Sequence, residues 1–333
     1  MQRHLDSLRL SNGDVLDVLV VTAPEQSLRD EVLHLLGHKG EPWESHLVAA
    51  LDGTADPLET RWYLGSLAGR PVSNIMTVER SGVGILGHVF TEEPHRRRGI
   101  CRAVMERQMA DFRERGGQLL LLGTGFESVP YRIYESFGFR SLRDGFMQYS
   151  VRPVEDFETA WFAQAPAHIE PAAWEHWPLA AALASRPDQS GLRSVEWGVR
   201  DLANLEWPYC RFMKLRSQNL ADGVMAVTPT GAVVACATYA PLHLGGSGHA
   251  WPGVWLVDAF AHPLHIYKVE QTLAALPLPP GKGLALVPEG DELRVAAFRS
   301  AGFMKEGVLS DLVPKGALRE GVVALGKWTE PAT

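Results

Sequence analysis

Two stretches of the chain echo each other. Tyr134–Phe139 reads YESFGF, and 164 residues later Phe298–Phe303 reads FRSAGF, sharing S-x-G-F at the same spacing. An apolar run precedes each, Leu119 to Leu122 in one case and Leu284 to Val287 in the other. Self-similarity at a fixed offset is the mark of a repeated structural unit, so one arrangement of strand, acidic loop, helix and strand is expected twice. The length of 333 residues fits two domains at roughly 150 residues each.

Around the first echo the pattern is readable element by element. Helix-like stretches at Glu25 to Leu36 and Trp43 to Leu51 are followed by three apolar runs, Arg61 to Leu67, Val72 to Val78 and Gly84 to Thr91, separated by turn residues. These predict an antiparallel meander. Cys101, Met105, Met109 and Phe112 then fall on one helical face, and Gly116 and Gly117 end that helix. The unbroken Leu119 to Leu122 run reads as a strand buried on both faces, which after a helical crossover implies a parallel pair in a mixed sheet. A short helix through Phe137 and a strand from Arg140 to Val151 complete the order βββ-α-β-α-β, an α/β sandwich. Residues 152–170, richer in proline and alanine, read as a linker with one short helix, and a second domain is expected over 171–333.

Composition excludes several functions. The net charge is −7 and neither half has an excess of Lys and Arg, so no nucleic-acid footprint is present and no nucleic-acid partner is expected. No eighteen-residue apolar run occurs, so no membrane partner is expected either. Cys101, Cys210 and Cys236 lie far apart without a C-x-x-C pair, pointing to reduced thiols, a cytoplasmic location and no cysteine metal site. His34 and His38 share a helical face but lack a third ligand nearby except His46, so the metal expectation is none.

The segment that carries chemistry is HVFTEEPHRRRGIC, a strand running through three arginines and a glycine into a helix. Free N–H groups and the positive dipole end of a helix attract anions, glycine permits close backbone approach, and arginines add charge-assisted bonds. A local anion site on an acidic protein is the expectation.

Arg96, Arg97, Arg98, Gly99, Ile100 and Cys101 resemble the Q/R-x-x-G-x-G/A pyrophosphate loop of the GNAT N-acetyltransferase superfamily, and RIYESFGF resembles that family's Tyr-Glu-x-x-Gly-Phe helix end. The resemblance covers about 61–149. Cys101 departs from it, standing where the family has glycine or alanine. In layout the chain is similar to the tandem type represented by mycothiol synthase. The resemblance implies two tandem GNAT folds of the α/β (α+β) class, each a mixed, mostly antiparallel sheet flanked by helices. Residues 1–151 would be the catalytic, acetyl-coenzyme A-binding domain and 171–333 a degenerate copy.

It also implies roles. The backbone of Val89 and Thr91 would pair with the pantetheine arm, the loop from Arg96 through Arg102 would hold the pyrophosphate, and an N–H near Val89 or Phe90 would stabilise the developing oxyanion. Tyr134 would protonate the leaving thiolate, a phenol near pKa 10 being matched to a thiol near 8.5. The strand positions at which relatives carry a glutamate base are the apolar Ile85 and Leu122. That leaves Glu127, His88, Glu92 and Glu93, of which Glu127 is favoured. The expected activity is transfer of acetyl, or a different acyl group, from coenzyme A to the amine of a small molecule, by a monomer or homodimer. The alternative is a coenzyme-A-binding sensor or scaffold without turnover. In the second copy Phe298 replaces Tyr134, and AHPLHIYKVEQTL has no glycine at the helix start and Lys268 as its charge. Coenzyme binding is not expected there.

Overall fold

The structure, a computed structural model, describes residues 1–186, 192–243, 250–315 and 318–330. It divides into two compact units, residues 1–157 with 177–179, and residues 158–176 with 180–333.

The first unit begins with strands β1 (Gln2–Arg9) and β2 (Val15–Thr22), then helices α1 (Arg29–Leu36) and α2 (Trp43–Leu51). The meander follows as β3 (Glu59–Leu67), β4 (Arg70–Arg80) and β5 (Val83–Thr91), then α3 (Ile100–Glu114), β6 (Leu119–Gly123), α4 (Val129–Ser136), β7 (Arg140–Arg143) and β8 (Phe146–Ser150). The eight strands form one sheet in the order β1-β2-β3-β4-β5-β6-β8-β7, antiparallel except for β5 with β6. Two features differ from the sequence reading. The N-terminal hairpin of β1 and β2 was not expected, and the single strand read at 140–151 is a hairpin turning at Asp144-Gly145. The apolar stripe of α3 lies against one face of the sheet, where Val104, Met105, Met109 and Phe112 pack with Leu86, Leu120 and Leu122.

The stretch read as a linker carries helix α5 (Val154–Trp161) and strand β9 (His168–Pro171). Helices α6 (Trp177–Ala184) and α7 (Glu206–Ser217) follow, then strands β10 (Asp222–Val227), β11 (Val233–His243) and β12 (Ala250–Ala261), helix α8 (Lys268–Ala275), strand β13 (Gly281–Pro288), helix α9 (Glu292–Ser300) and strands β14 (Met304–Lys315) and β15 (Leu318–Thr329). The second sheet runs β9-β10-β11-β12-β13-β15-β14, again antiparallel except for β12 with β13. That is the order of the first sheet without its outermost strand. Two mixed, mostly antiparallel sheets flanked by helices are thus present, as the sequence led one to expect.

The echoed motif does the same work in both units. Helices α4 and α9 end at glycines in the left-handed region, Gly138 (φ 94°) and Gly302 (φ 88°), a conformation other residues adopt only at a cost. The chain turns back so that Phe139 and Phe303 donate main-chain bonds to the carbonyls of Tyr134 and Phe298. Each phenylalanine ring then lies 6.0 Å and 5.1 Å, respectively, from the ring it follows.

Candidate active site

In the first unit β5 and β6 pair over three residues only, Val83 to Ile85 against Leu119 to Leu121. Beyond Ile85, β5 runs on to Thr91 with β4 on one side and, among the described residues, no strand on the other. Glu92 N–H donates to the Val72 carbonyl at 2.9 Å. Because main-chain groups alternate sides along an extended strand, Val89 and Thr91 therefore turn theirs away from β4, toward the gap. A stretch of amide-bearing chain could add there as a strand.

At the end of this edge the chain makes a short turn over Glu93–His95 and enters α3 through Arg97 (φ 61°) and Gly99 (φ 80°). Apart from Gly99 and its two chain neighbours, none of the described residues has an atom within 4 Å of where a Gly99 Cβ would stand, so the approach to the helix start is clear. The first turn of the fifteen-residue helix contains no acidic side chain to compete for its N–H groups. Left-handed residues just before a helix turn successive amides to one side and make a concavity for an anion.

The arginines are arranged around that concavity. Arg96 Nε donates to the Thr91 carbonyl at 2.9 Å, with its guanidinium 5.9 Å from the centre of the Phe90 ring. Arg97 is exposed. Arg98 pairs with Asp14, in the β1–β2 turn, and lies 3.0 Å from His95 Nδ1. Arg102 reaches Ser136 Oγ at 3.2 Å and covers the Phe137 ring at 5.4 Å, so it ties α3 to α4. Ile100 is buried in the core, and burial pushes the Cys101 thiol up, away from nucleophilic character.

Tyr134 is buried on α4, in the helix that follows β6. Glu127 occupies the turn between them with φ 54°; its carboxylate is 63% exposed and 3.4 Å from Arg132. The other carboxylates considered stand elsewhere: Glu93 is exposed, and Glu92 binds Arg70 at 2.7 Å with His34 at 3.5 Å. His88 is buried within β5. Sequence reading missed Asp14 and Asn74. The latter is a buried amide in the otherwise apolar-leaning run VSNIMTV, a signal that was there to be used.

The second unit builds the matching region differently. Its helix α8 starts without a left-handed residue, and Lys268 Nζ folds back to the Ala167 carbonyl at 3.0 Å and Gln271 Oε1 at 2.8 Å. His265 Nε2 lies 3.1 Å from the Phe162 carbonyl, and the His262 ring stacks on Phe162 at 4.5 Å. Where β12 leaves β13, residues 192–196 bridge the two sides. Asp258 on β12 accepts from Ser194 Oγ (2.7 Å) and from the amides of Val195 (3.1 Å) and Glu196 (2.8 Å). Arg294 on α9 donates to the carbonyls of Leu192 and Arg193.

Residues 75–142, which hold the gap, the arginine loop and Tyr134, match the family described as an acetyltransferase (GNAT) domain. The likeness to that family spans about a fifth of the chain. No curated protein matches it. Among solved structures, the chain is similar to a ribosomal-protein-S5-alanine acetyltransferase from Vibrio fischeri, 14% identical with a TM-score of 0.37 over 50% of this chain and 95% of that one. A ribosomal-protein-alanine N-acetyltransferase from Brucella melitensis is 17% identical, TM-score 0.36, over 49% and 99%. A phosphinothricin acetyltransferase from Sinorhizobium meliloti, solved in complex with acetyl-coenzyme A, is 13% identical, TM-score 0.35, over 50% and 94%. Among the described residues no helix is long and apolar enough to cross a membrane.

Proposed function

We propose that the first unit, over 1–151, transfers an acetyl group from acetyl-coenzyme A to the amine of a small molecule, and that the second is a non-binding copy of it. The observation that supports this reading most is the juxtaposition of two unlike receptors: an extended main-chain edge at Val89–Thr91 and, directly after it in the chain, a left-handed, arginine-rich helix start from Arg96 to Arg102. Acetyl-coenzyme A carries an amide-bearing arm and a pyrophosphate in that succession. The residues present fit it, because a side chain at position 99 would fill the approach that the glycine leaves clear.

Bound there, the thioester supplies an activated acetyl carbonyl. This chain's residues do the rest. An N–H at Val89 or Phe90 would stabilise the negative charge developing on the carbonyl oxygen. The Tyr134 hydroxyl would donate a proton to the departing thiolate, its ring held against Phe139. Glu127 is the carboxylate we assign to accept the amine proton, a task its exposure lets it share with water.

Tyr134→Phe is the decisive variant, since it keeps the ring and its packing. Thiol release from acetyl-coenzyme A with a panel of primary amines is expected to fall about 100-fold, with calorimetric affinity for acetyl-coenzyme A unchanged. Glu127→Gln is expected to cost less. Binding with no turnover in the parent protein for any amine would favour the sensor or scaffold, and no binding at all would overturn the proposal.

A further inference from the structure

Strand β5 is not regular. Its register with β4 passes from Met76 opposite Gly87 to Asn74 opposite Phe90, so that Ile75 faces two residues, His88 and Val89. This is a β-bulge, and its first residue, His88, is in the left-handed region at φ 49°. Such bulges ordinarily place glycine there, because a Cβ disfavours that conformation. Something outside the residue must hold it.

Asn74 lies on the neighbouring strand and is wholly buried. Its Nδ2 donates to the His88 carbonyl at 2.8 Å, whereas its Oδ1 is buried and, among the described residues, has no hydrogen-bond partner. An amide buried with half its capacity unmet is a poor stabiliser of a core, so stability does not account for its presence. A bulge held open beside a binding edge does.

The second unit provides an independent control. The stretch of β12 that matches, beyond its three pairs with β13, stays in unbroken register with β11 from Trp255 opposite Pro241 to Ala261 opposite Ala235. No residue there has a positive φ. The bulge therefore occurs in the unit that has the left-handed helix start and is absent from the matching stretch of the unit that lacks it.

We infer that Asn74 is a positioning residue: its side-chain amide fixes the left-handed turn at His88 and so aims the next main-chain N–H, that of Val89, into the gap beside β5. As a contributor to acetyl transfer this rests on the function proposed above. The effect on the bulge itself does not, which lets the two be separated.

The test uses the full chain, isotopically labelled. In the parent protein the His88 Cα and Cβ shifts report a left-handed residue; in Asn74→Ala they are expected to leave that range. Kinetics use acetyl-coenzyme A with methoxyamine, a low-pKa nucleophile that needs neither a base nor an acceptor pocket. Asn74→Ala is expected to lower kcat about tenfold or more, with KM and the Kd of coenzyme A moving less than about threefold. Asn74→Leu, which fills the volume without donating, carries the same expectation should alanine not fold. Adding His88→Gly to Asn74→Ala is expected to bring kcat back to that of His88→Gly alone, because glycine takes the left-handed conformation unaided. Left-handed shifts retained in Asn74→Ala, a raised KM at constant kcat, or no recovery with glycine would each overturn the inference. If the parent protein releases no thiol with methoxyamine while the His88 shifts respond to Asn74, the proposed activity fails and the structural role of Asn74 stands.

Discussion

The two units share a strand order, a parallel pair that ends after three residues, and a helix terminated by Gly-Phe, yet they treat the space opened by that pair in opposite ways. In the first, β5 bulges, the edge faces the gap, and the chain enters α3 through Gly99. In the second, β12 keeps its register with β11 from Trp255 to Ala261, residues 192–196 are clasped between Asp258 and Arg294, and Lys268 satisfies a carbonyl of its own unit at the helix start. The same sheet can thus be an open receptor or a closed core. What decides is a small set of local choices: one left-handed glycine, one buried amide, and whether a neighbouring segment is long enough to fold in.

The largest effect expected from this contrast is on coenzyme stoichiometry. Calorimetry with acetyl-coenzyme A is expected to find one site per chain, and Arg98→Glu with Gly99→Asp to weaken it at least 100-fold by placing two negative charges and a strained side chain in the anion concavity. A second site that survives the double substitution would break the comparison. Next, Asp258→Ala leaves the buried Ser194 Oγ and two partly buried amides without their acceptor, so urea unfolding of the second unit should lose about 2 kcal/mol or more while coenzyme affinity in the first is untouched.

The same carboxylate gives a pH signature. Burial pushes Asp258 up to about 6, against the opposing pull of Ser194 and Val195. Between about pH 4 and 6 the folded form therefore holds a proton that the unfolded chain has released, and the stability of the second unit should fall as pH rises through that window. Asp258→Asn should flatten that slope; an unchanged slope would assign it to other groups. The smallest effect is expected at Asp14, whose exposed carboxylate occupies Arg98. Asp14→Asn should tighten coenzyme binding about threefold, in keeping with a surface ion pair. Weaker binding would mean that Asp14 orients Arg98 for the ligand instead of competing with it.

Much of the first unit was legible because its signals are local. The α3 stripe, the four-leucine strand and the Arg-Arg-Arg-Gly entry each declare themselves within a few residues, and the S-x-G-F echo exposed the repeat. Strand β1, QRHLDSLR, was not legible because it lies at a sheet edge, largely exposed and without alternation of apolar and polar residues. The β7–β8 hairpin was missed although Asp144-Gly145 is turn chemistry; the apolar content of FMQYS on its far side made one long strand the simpler reading. The clasp between Asp258 and Ser194 joins residues 64 apart, and no periodicity in either segment announces it. Asn74 was visible as a polar residue in a strand, but its meaning depends on a carbonyl supplied by a different strand.

The early end of the β5–β6 pairing has a cost for the protein when it is empty. An unpaired strand edge inside a sheet is a template for any extended chain, including another copy caught while folding. A ligand that lays its own amides along that edge shields it and, binding the folded form alone, adds RT ln(1 + [L]/Kd) to its stability, about 2.7 kcal/mol at a hundredfold excess over Kd. On the function proposed above, the supply of coenzyme would then affect how long the folded protein lasts as well as how fast it turns over.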